Sequence, residues 1–226
     1  MKFTTLKTML LAGATVLGMA GGASALTFGS IPGSPGVTND ALVPLFGAGT
    51  TSLNGWYGAE LFLVAAGPVS ITATYLGSEA GNNNSFSFGG TTIQTGGGTN
   101  TFNAAGIASW VVNNVAPGSL SFSFSTSGGG LSVSNGSNPD NTVPAASPGV
   151  NFFTSFVGNQ NASSGQGVYL FFDDDGAAND DNHDDMVVRL DIRGGEITVV
   201  PLPAAGLLLL TALGGVAALR RRRKAA

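Results

Sequence analysis

Two stretches, Ser85-Phe-Ser-Phe88 and Leu120-Ser-Phe-Ser-Phe-Ser125, alternate strictly between an apolar side chain and a serine. Period two places every apolar group on one face of an extended strand and every hydroxyl on the other, which suits a half-buried sheet and no helix. The pattern recurs along the chain. Val69 to Leu76 alternates, with Ile71, Ala73 and Tyr75 on one face and Thr72 and Thr74 on the other. Leu61-Phe-Leu-Val64, Ile107 to Val112 (with Trp110), Val150 to Phe156, Val168 to Phe172 and Met186 to Ile192 are further short runs of strand composition. Glu196-Ile-Thr-Val-Val200 follows Gly194-Gly195, which predicts a hairpin with the strand before it. Between residues 26 and 198 nothing repeats at helical spacing or at a longer fixed period. Short strands separated by Gly, Asn, Ser and Pro clusters predict an all-β chain, a single β-sandwich of jelly-roll or Ig-like kind. Gly29 to Gly55 reads as a lead segment that wraps the sandwich, Ser127 to Pro148 as a long surface loop, and Asn82-Asn83-Asn84 as turn chemistry.

Both ends of the chain carry addressing signals. Lys2 and Lys7 precede an apolar run from Met9 to Ala20, and Ala23-Ser24-Ala25 supplies the small-x-small pattern of a signal-peptidase site, with cleavage before Leu26. At the other end no charge occurs from Val199 to Leu219, a stretch that would span about 31 Å as a helix and match a hydrocarbon core of about 30 Å. Arg220, Arg221, Arg222, Arg223 and Lys224 follow directly and mark a cytoplasmic membrane stop. The succession of Val200-Pro-Leu-Pro-Ala204, apolar helix and basic cluster resembles the PEP-CTERM-like sorting signals of the VPLPA type. These occur on bacterial exported proteins and are handled by membrane transpeptidases called exosortases. The resemblance covers the last 27 residues. It implies export, processing at Val200, Pro201, Leu202, Pro203 and Ala204, and a cell-surface or extracellular destination, with anchorage by the C-terminal helix beforehand. Signal peptidase, acting at Ala23 and Ala25, and an exosortase-like enzyme are the implied partners. The expected organisation is a signal peptide (1–25), a β-sandwich domain (26–198) and a sorting motif, transmembrane helix and basic tail (199–226).

Between those ends the charge balance changes sharply. Of nine basic residues only Arg189 and Arg193 fall in the body, against all thirteen carboxylates, a formal charge of −11. Nucleic acid and anionic lipid both require a cationic face and are excluded as partners of the body. Cations, or solubility in a crowded exopolysaccharide matrix, suit it. The chain has no cysteine, so no disulfide staples the fold although the compartment permits one. The single histidine, His183, cannot furnish a typical zinc site, and no Gly-x-Ser-x-Gly elbow or nucleotide-binding glycine loop is present. On this ground the chain is read as no enzyme. A carboxylate pair drawn from Glu60, Glu79 and Asp40 is what a glycan-active hydrolase would need.

One segment of the body stands apart. From Phe171 to Ile192 the sequence packs seven aspartates between residues 173 and 185. Val188, Leu190 and Ile192 share one strand face, and Val187, Arg189 and Asp191 the other, so the acids occupy a hairpin loop between paired strands. Like charges at this density oppose a compact loop unless something neutralises them. Two readings stand: a solvated acidic loop that blunts a sheet end, or a weak structural calcium site. In the second, Asp173, Asp175, Asp180, Asp184 and Asp185 are the ligands, and Gly176 and Ala177 let the backbone turn. Without a cation the loop is expected to be mobile, held only at Phe172 and Met186. The spacing is not that of an EF-hand, because Phe171 would stand first and no Glu closes the loop. His183 reads as a loop residue. The core Asp-Asn-His-Asp-Asp-Met-Val-Val-Arg resembles an Asp-rich hairpin near the C-terminus of other exported sorting-tail proteins. The leading expectation is a non-enzymatic surface or biofilm-matrix protein. The alternatives are a calcium-dependent carbohydrate-binding or adhesion module and a glycan-active hydrolase.

Overall fold

The computed structural model describes residues 26–31, 39–139, 141, 149–175 and 182–200, all within one compact unit, Ser24–Leu202. The chain passes through β1 (Thr27–Ile31), a short helix α1 (Leu42–Phe46), β2 (Leu53–Tyr57), β3 (Glu60–Ala65) and the long β4 (Val69–Ala80). It continues through β5 (Asn84–Phe88), β6 (Thr91–Gln94), β7 (Thr99–Phe102), β8 (Ala108–Val115) and the two-residue β9 (Gly118–Ser119). Then come β10 (Phe122–Thr126), β11 (Ser132–Ser134), β12 (Asn151–Phe156), β13 (Ser164–Gly165), β14 (Gly167–Asp173), β15 (Met186–Ile192) and β16 (Gly195–Val200). The all-β expectation holds. A large sheet runs β1-β2-β12-β14-β15-β4-β7, with β8 also paired to β4. Two four-stranded sheets, β11-β10-β5-β6 and β13-β16-β3-β9, accompany it.

The three sheets share one core. Leu61, Leu63 and Ile197 of one small sheet, and Phe86, Phe122, Phe124 and Val133 of the other, pack with Ile71, Phe152, Leu170, Phe172 and Val188 of the large sheet. The serine alternation explains which way β5 and β10 face. Phe86 and Phe124 are fully buried, whereas Ser85, Ser87, Ser123 and Ser125 are partly exposed on the opposite face. Phe124 lies flat on Phe172, with ring centroids 4.9 Å apart and planes 6° from parallel. A second core lies on the far side of the large sheet, formed by Ile31, Leu42, Leu53, Tyr57, Phe153, Phe171 and Val187, with Leu45 and Phe46 packed against it. Of the lead segment, α1 lies over this face, whereas its two ends fall in β1 and β2 and are strands of the large sheet itself rather than a wrapping segment. Coverage on both faces is why all six residues of β12 are buried and why β14 reads as a near-continuous apolar run from Val168 to Phe172 rather than as an alternating one.

Three sequence expectations are corrected. Gly194-Gly195 does not close a hairpin: β15 pairs with β14 and β4, and β16 pairs with β13 and β3. The chain crosses between sheets there because Ile192 and Ile197 both serve the shared core, and Gly194 (φ 87°) supplies the left-handed turn. Ser127 to Pro148 is not wholly loop, since β11 adds Ser132–Ser134 to the edge of β10. Asn82 and Asn83 do lie in the connection between β4 and β5, but Asn84 already belongs to β5, and none of the three is left-handed, a conformation that among the described non-glycine residues occurs at Asn114 and His183. The predicted signal segment with Ala23 and Ala25, the positions Pro201, Leu202, Pro203 and Ala204, the apolar helix and Arg220 to Lys224 lie outside the described residues. Among the described residues no helix is long and apolar enough to cross a membrane.

Candidate functional site

The acidic hairpin sits at the end of the large sheet, where Phe172 opposite Met186 is the last rung between β14 and β15. Neither described arm of it is solvated. Asp173 and Asp184 are fully enclosed, and Asp174 and Asp185 retain only 6% and 8% of their surface. The arms are not held at Phe172 and Met186 alone either, because segments from elsewhere in the chain close over the carboxylates and donate to them. The expected solvated loop thus gives way, in its described arms, to a clasp.

The clasp has two sides. On the side of the shared core, the Asp174 carboxylate accepts from Asn82 Nδ2 at 3.0 Å and from Asn84 Nδ2 at 2.7 Å. The Asp174 N–H donates to Asp185 Oδ2 at 2.8 Å, and Asn84 Nδ2 reaches the Asp185 carbonyl at 3.3 Å. On the side of the second core, Asp184 Oδ2 accepts the Asp40 N–H at 2.5 Å, and Asn39 Nδ2 donates to the Asn182 carbonyl. The Glu79 N–H donates to the Asp184 carbonyl at 2.9 Å, which ties β4 to the same knot. His183, fully buried with φ 61°, places Nε2 2.6 Å from Asn151 Oδ1 and Nδ1 3.8 Å from Asp173 Oδ2. Its ring stands edge-on to Tyr57 and Phe153. An Asp–His pair can act as a general base, but this one is sealed in the protein interior with no exposed surface for a substrate.

Of the residues assigned to calcium from sequence, Asp180 lies outside the described residues, and the other four are not gathered at one point. Asp184 and Asp185 are neighbours engaged on opposite sides, Asp173 lies beside His183, and the Asp175 N–H turns back to Asp173 Oδ1 at 3.1 Å. Among the described residues no three His, Cys, Asp or Glu side chains are grouped as a metal site. Nothing in the sequence singles out Asn39 or Asn151, and Asn82-Asn83-Asn84 reads there only as turn chemistry. Nothing local distinguishes an asparagine that caps its own turn from one that reaches a carboxylate across the fold.

The body's two arginines do not offset these charges. Arg189 gives both Nε and Nη2 to Asp191 Oδ1, at 3.0 and 2.6 Å, and lies over the Tyr169 ring. Burial works to lower the Arg189 pKa, but the hydrogen bond and charge of Asp191 outweigh it and hold the guanidinium above its ordinary value. Arg193 is exposed.

A second feature opens at the opposite end of β5. A groove of about 660 Å³ runs between the Gly89-Gly90 turn, the segment from Val112 to Ser119, and the strands β10 and β11. Its lining includes Ser87, Asn113, Asn114, Ser121 and Ser123 and no charged residue, in a body of charge −11. The carboxylates weighed for hydrolysis are not all together. Glu60 begins β3 and accepts from Ser119 Oγ, whereas Asp40 accepts from Asn100, the rung partner of Glu79 on β4. Comparison with protein-family models, curated proteins and solved structures finds no match.

Proposed function

We propose that this chain is a non-enzymatic, exported protein of a bacterial cell surface or exopolysaccharide matrix. Its body is a β-sandwich carried between a signal peptide (1–25) and a sorting tail (199–226). The observation that carries this reading is the pair of addressing signals bracketing an acidic, cysteine-free body. The first described strand starts at Thr27, just past the predicted cleavage point, and the last ends at Val200, where the sorting motif begins. Intact-mass measurement of surface-extracted protein tests it. The expected chain starts at Leu26 and lacks Arg220 to Lys224. Recovery of a chain that keeps those five residues would reduce the tail to a plain anchor.

The neutral groove favours a second reading, glycan binding. Uncharged polysaccharides are recognised through hydroxyl and amide groups, and the lining supplies both without charge. Asn84, in the clasp, and Phe88, at the groove, are four strand steps apart, about 13 Å. Calcium in the clasp would therefore not touch a sugar in the groove. Ser121 is exposed on the groove lining, so Ser121→Trp fills the groove without disturbing the core. Binding on a glycan array should fall at least tenfold in this variant and be insensitive to EDTA. Equal binding by both proteins would remove the groove from consideration.

A further inference from the structure

We propose that a pocket on the outer face of the large sheet, built around Arg189, Asp191, Arg193 and Gln166, binds one carboxylate-bearing sugar of an acidic polysaccharide. The matrix reading supplies the source of this ligand; the site stands on its own residues. Arg189 and Asp191 on β15, and Arg193 just past its end, line one depression of about 910 Å³ with Ser70, Thr72 and Gln166. The first support is charge. The two basic residues of a body of charge −11 meet in this one pocket, and with Asp191 as its sole acid the lining carries a net charge of +1. Six strand steps, about 20 Å, separate Gly167 in the lining from Asp173 in the clasp. At physiological ionic strength the Debye length is about 8 Å, so the acids of the clasp are screened from a ligand here.

The second support is the arrangement of donors and acceptors. Phe46 of α1 meets Tyr169, the rung partner of Arg189, and two residues further on Asp191 lies between Gly167 of β14 and Thr72 of β4. Gly167 leaves that carboxylate room, since a Cβ there would stand 3.1 Å from Asp191 Oδ1 and 2.9 Å from the Val157 side chain. Arg189 is held in place: Nε and Nη2 both donate to Asp191 Oδ1, and the guanidinium lies 5.7 Å from the centre of the Tyr169 ring. A guanidinium has five N–H groups, so donors remain for a ligand, and Asp191 Oδ2 remains to accept a sugar hydroxyl. Arg193 and Gln166 are exposed, and their side chains make no hydrogen bond or ion pair with the described residues. A free guanidinium beside a fixed one suits the planar, two-oxygen geometry of a carboxylate. A net charge of +1 matches a monoanion, whereas a phosphate dianion would leave surplus negative charge against Asp191. Extended polyanions such as nucleic acid would meet the acids beyond the pocket, in keeping with their exclusion above.

Titration of the purified chain with a glucuronosyl-glucose disaccharide, against its carboxyl-reduced form cellobiose, tests the assignment at physiological ionic strength. The two probes differ by one carboxylate. The expected result is one site for the acidic disaccharide and binding of cellobiose weaker by about tenfold or more. Arg193→Gln, at an exposed position, should weaken binding of the acidic probe about tenfold, and Gln166→Ala about threefold. Ser121→Trp, in the neutral groove, should leave it unchanged. Inorganic phosphate at equal concentration should displace less than half of the bound disaccharide. Equal binding of cellobiose overturns the proposal, as does undiminished binding by Arg193→Gln. Full displacement by phosphate makes the pocket a general anion site and overturns the carboxylate assignment. None of these outcomes bears on export, which the mass of the surface-extracted chain decides separately.

Discussion

Phe124→Ala should destabilise the body by about 4 kcal/mol, the range for deleting a fully enclosed aromatic ring. Phe124 has no exposed surface and touches the aromatic cluster from several sides. It stacks on Phe172 of the large sheet at 4.9 Å and meets Phe86 at 4.8 Å and Phe152 at 5.9 Å. Removing it leaves a void that neighbouring rings, fixed on two different sheets, cannot close by a rotamer change. For a body of this size the melting temperature should fall by about 8 to 16 °C. Ser123→Ala, one residue away on the partly exposed face, is the matched control and should stay within about 0.5 kcal/mol. Urea unfolding of both variants separates the outcomes. A cost below about 1 kcal/mol for Phe124→Ala would mean that the small sheet does not share a core with the large one.

The same alternation that makes this prediction possible also marks the limit of what the chain discloses by itself. β5, β10 and the first part of β4 are readable because one face of each is polar, and period two then fixes both strand and orientation. β6 (Thr91–Gln94) and β7 (Thr99–Phe102) were missed, since edge strands of Thr and Asn carry little apolar periodicity. α1 has five residues, too few for a helical period to show. Sheet membership is a long-range property. Gly194-Gly195 looks like any hairpin turn until β3 is known to lie ready for β16.

The clasp illustrates the same division most clearly. Seven aspartates in thirteen residues are plain in the sequence, and so is their need for neutralisation. The burial of Asp173, Asp174, Asp184 and Asp185 is not. It depends on Asn39 reaching Asn182 across 143 residues, Asp40 reaching Asp184 across 144, and Asn84 reaching Asp174 across 90. A charged, Gly- and Asn-rich segment is ordinarily read as solvated, and only the tertiary fold reverses that reading. The acids are legible as a cluster; the asparagines that bond to them are not.

Gly55→Ala should cost about 3 kcal/mol, at the upper end of what inserting one methyl into a packed site does. Gly55 lies in the middle of β2, where that strand crosses β12 with a single rung, Trp56 opposite Thr154. Its backbone is not left-handed, so the penalty is steric rather than conformational. A Cβ there would drive into the Thr154 carbonyl and meet the Phe153 ring at 2.7 Å. Phe153 is itself wedged between Tyr57 and Phe171 in the second core, and a carbonyl inside a sheet cannot swing aside. The relief available is for β2 to lift away from β12, taking β1 with it. Lifting would break the bond from Trp56 Nε1 to the Ala162 carbonyl, so Trp fluorescence and near-UV circular dichroism should change with stability. Limited proteolysis should then cut the released β1–β2 segment while the remaining strands resist. Gly67→Ala, where a Cβ meets nothing within 4 Å, is the control and should be nearly neutral. If Gly55→Ala matches that control in stability and protease resistance, the β1–β2 hairpin is not seated on β12, and the second core is covered by α1 alone.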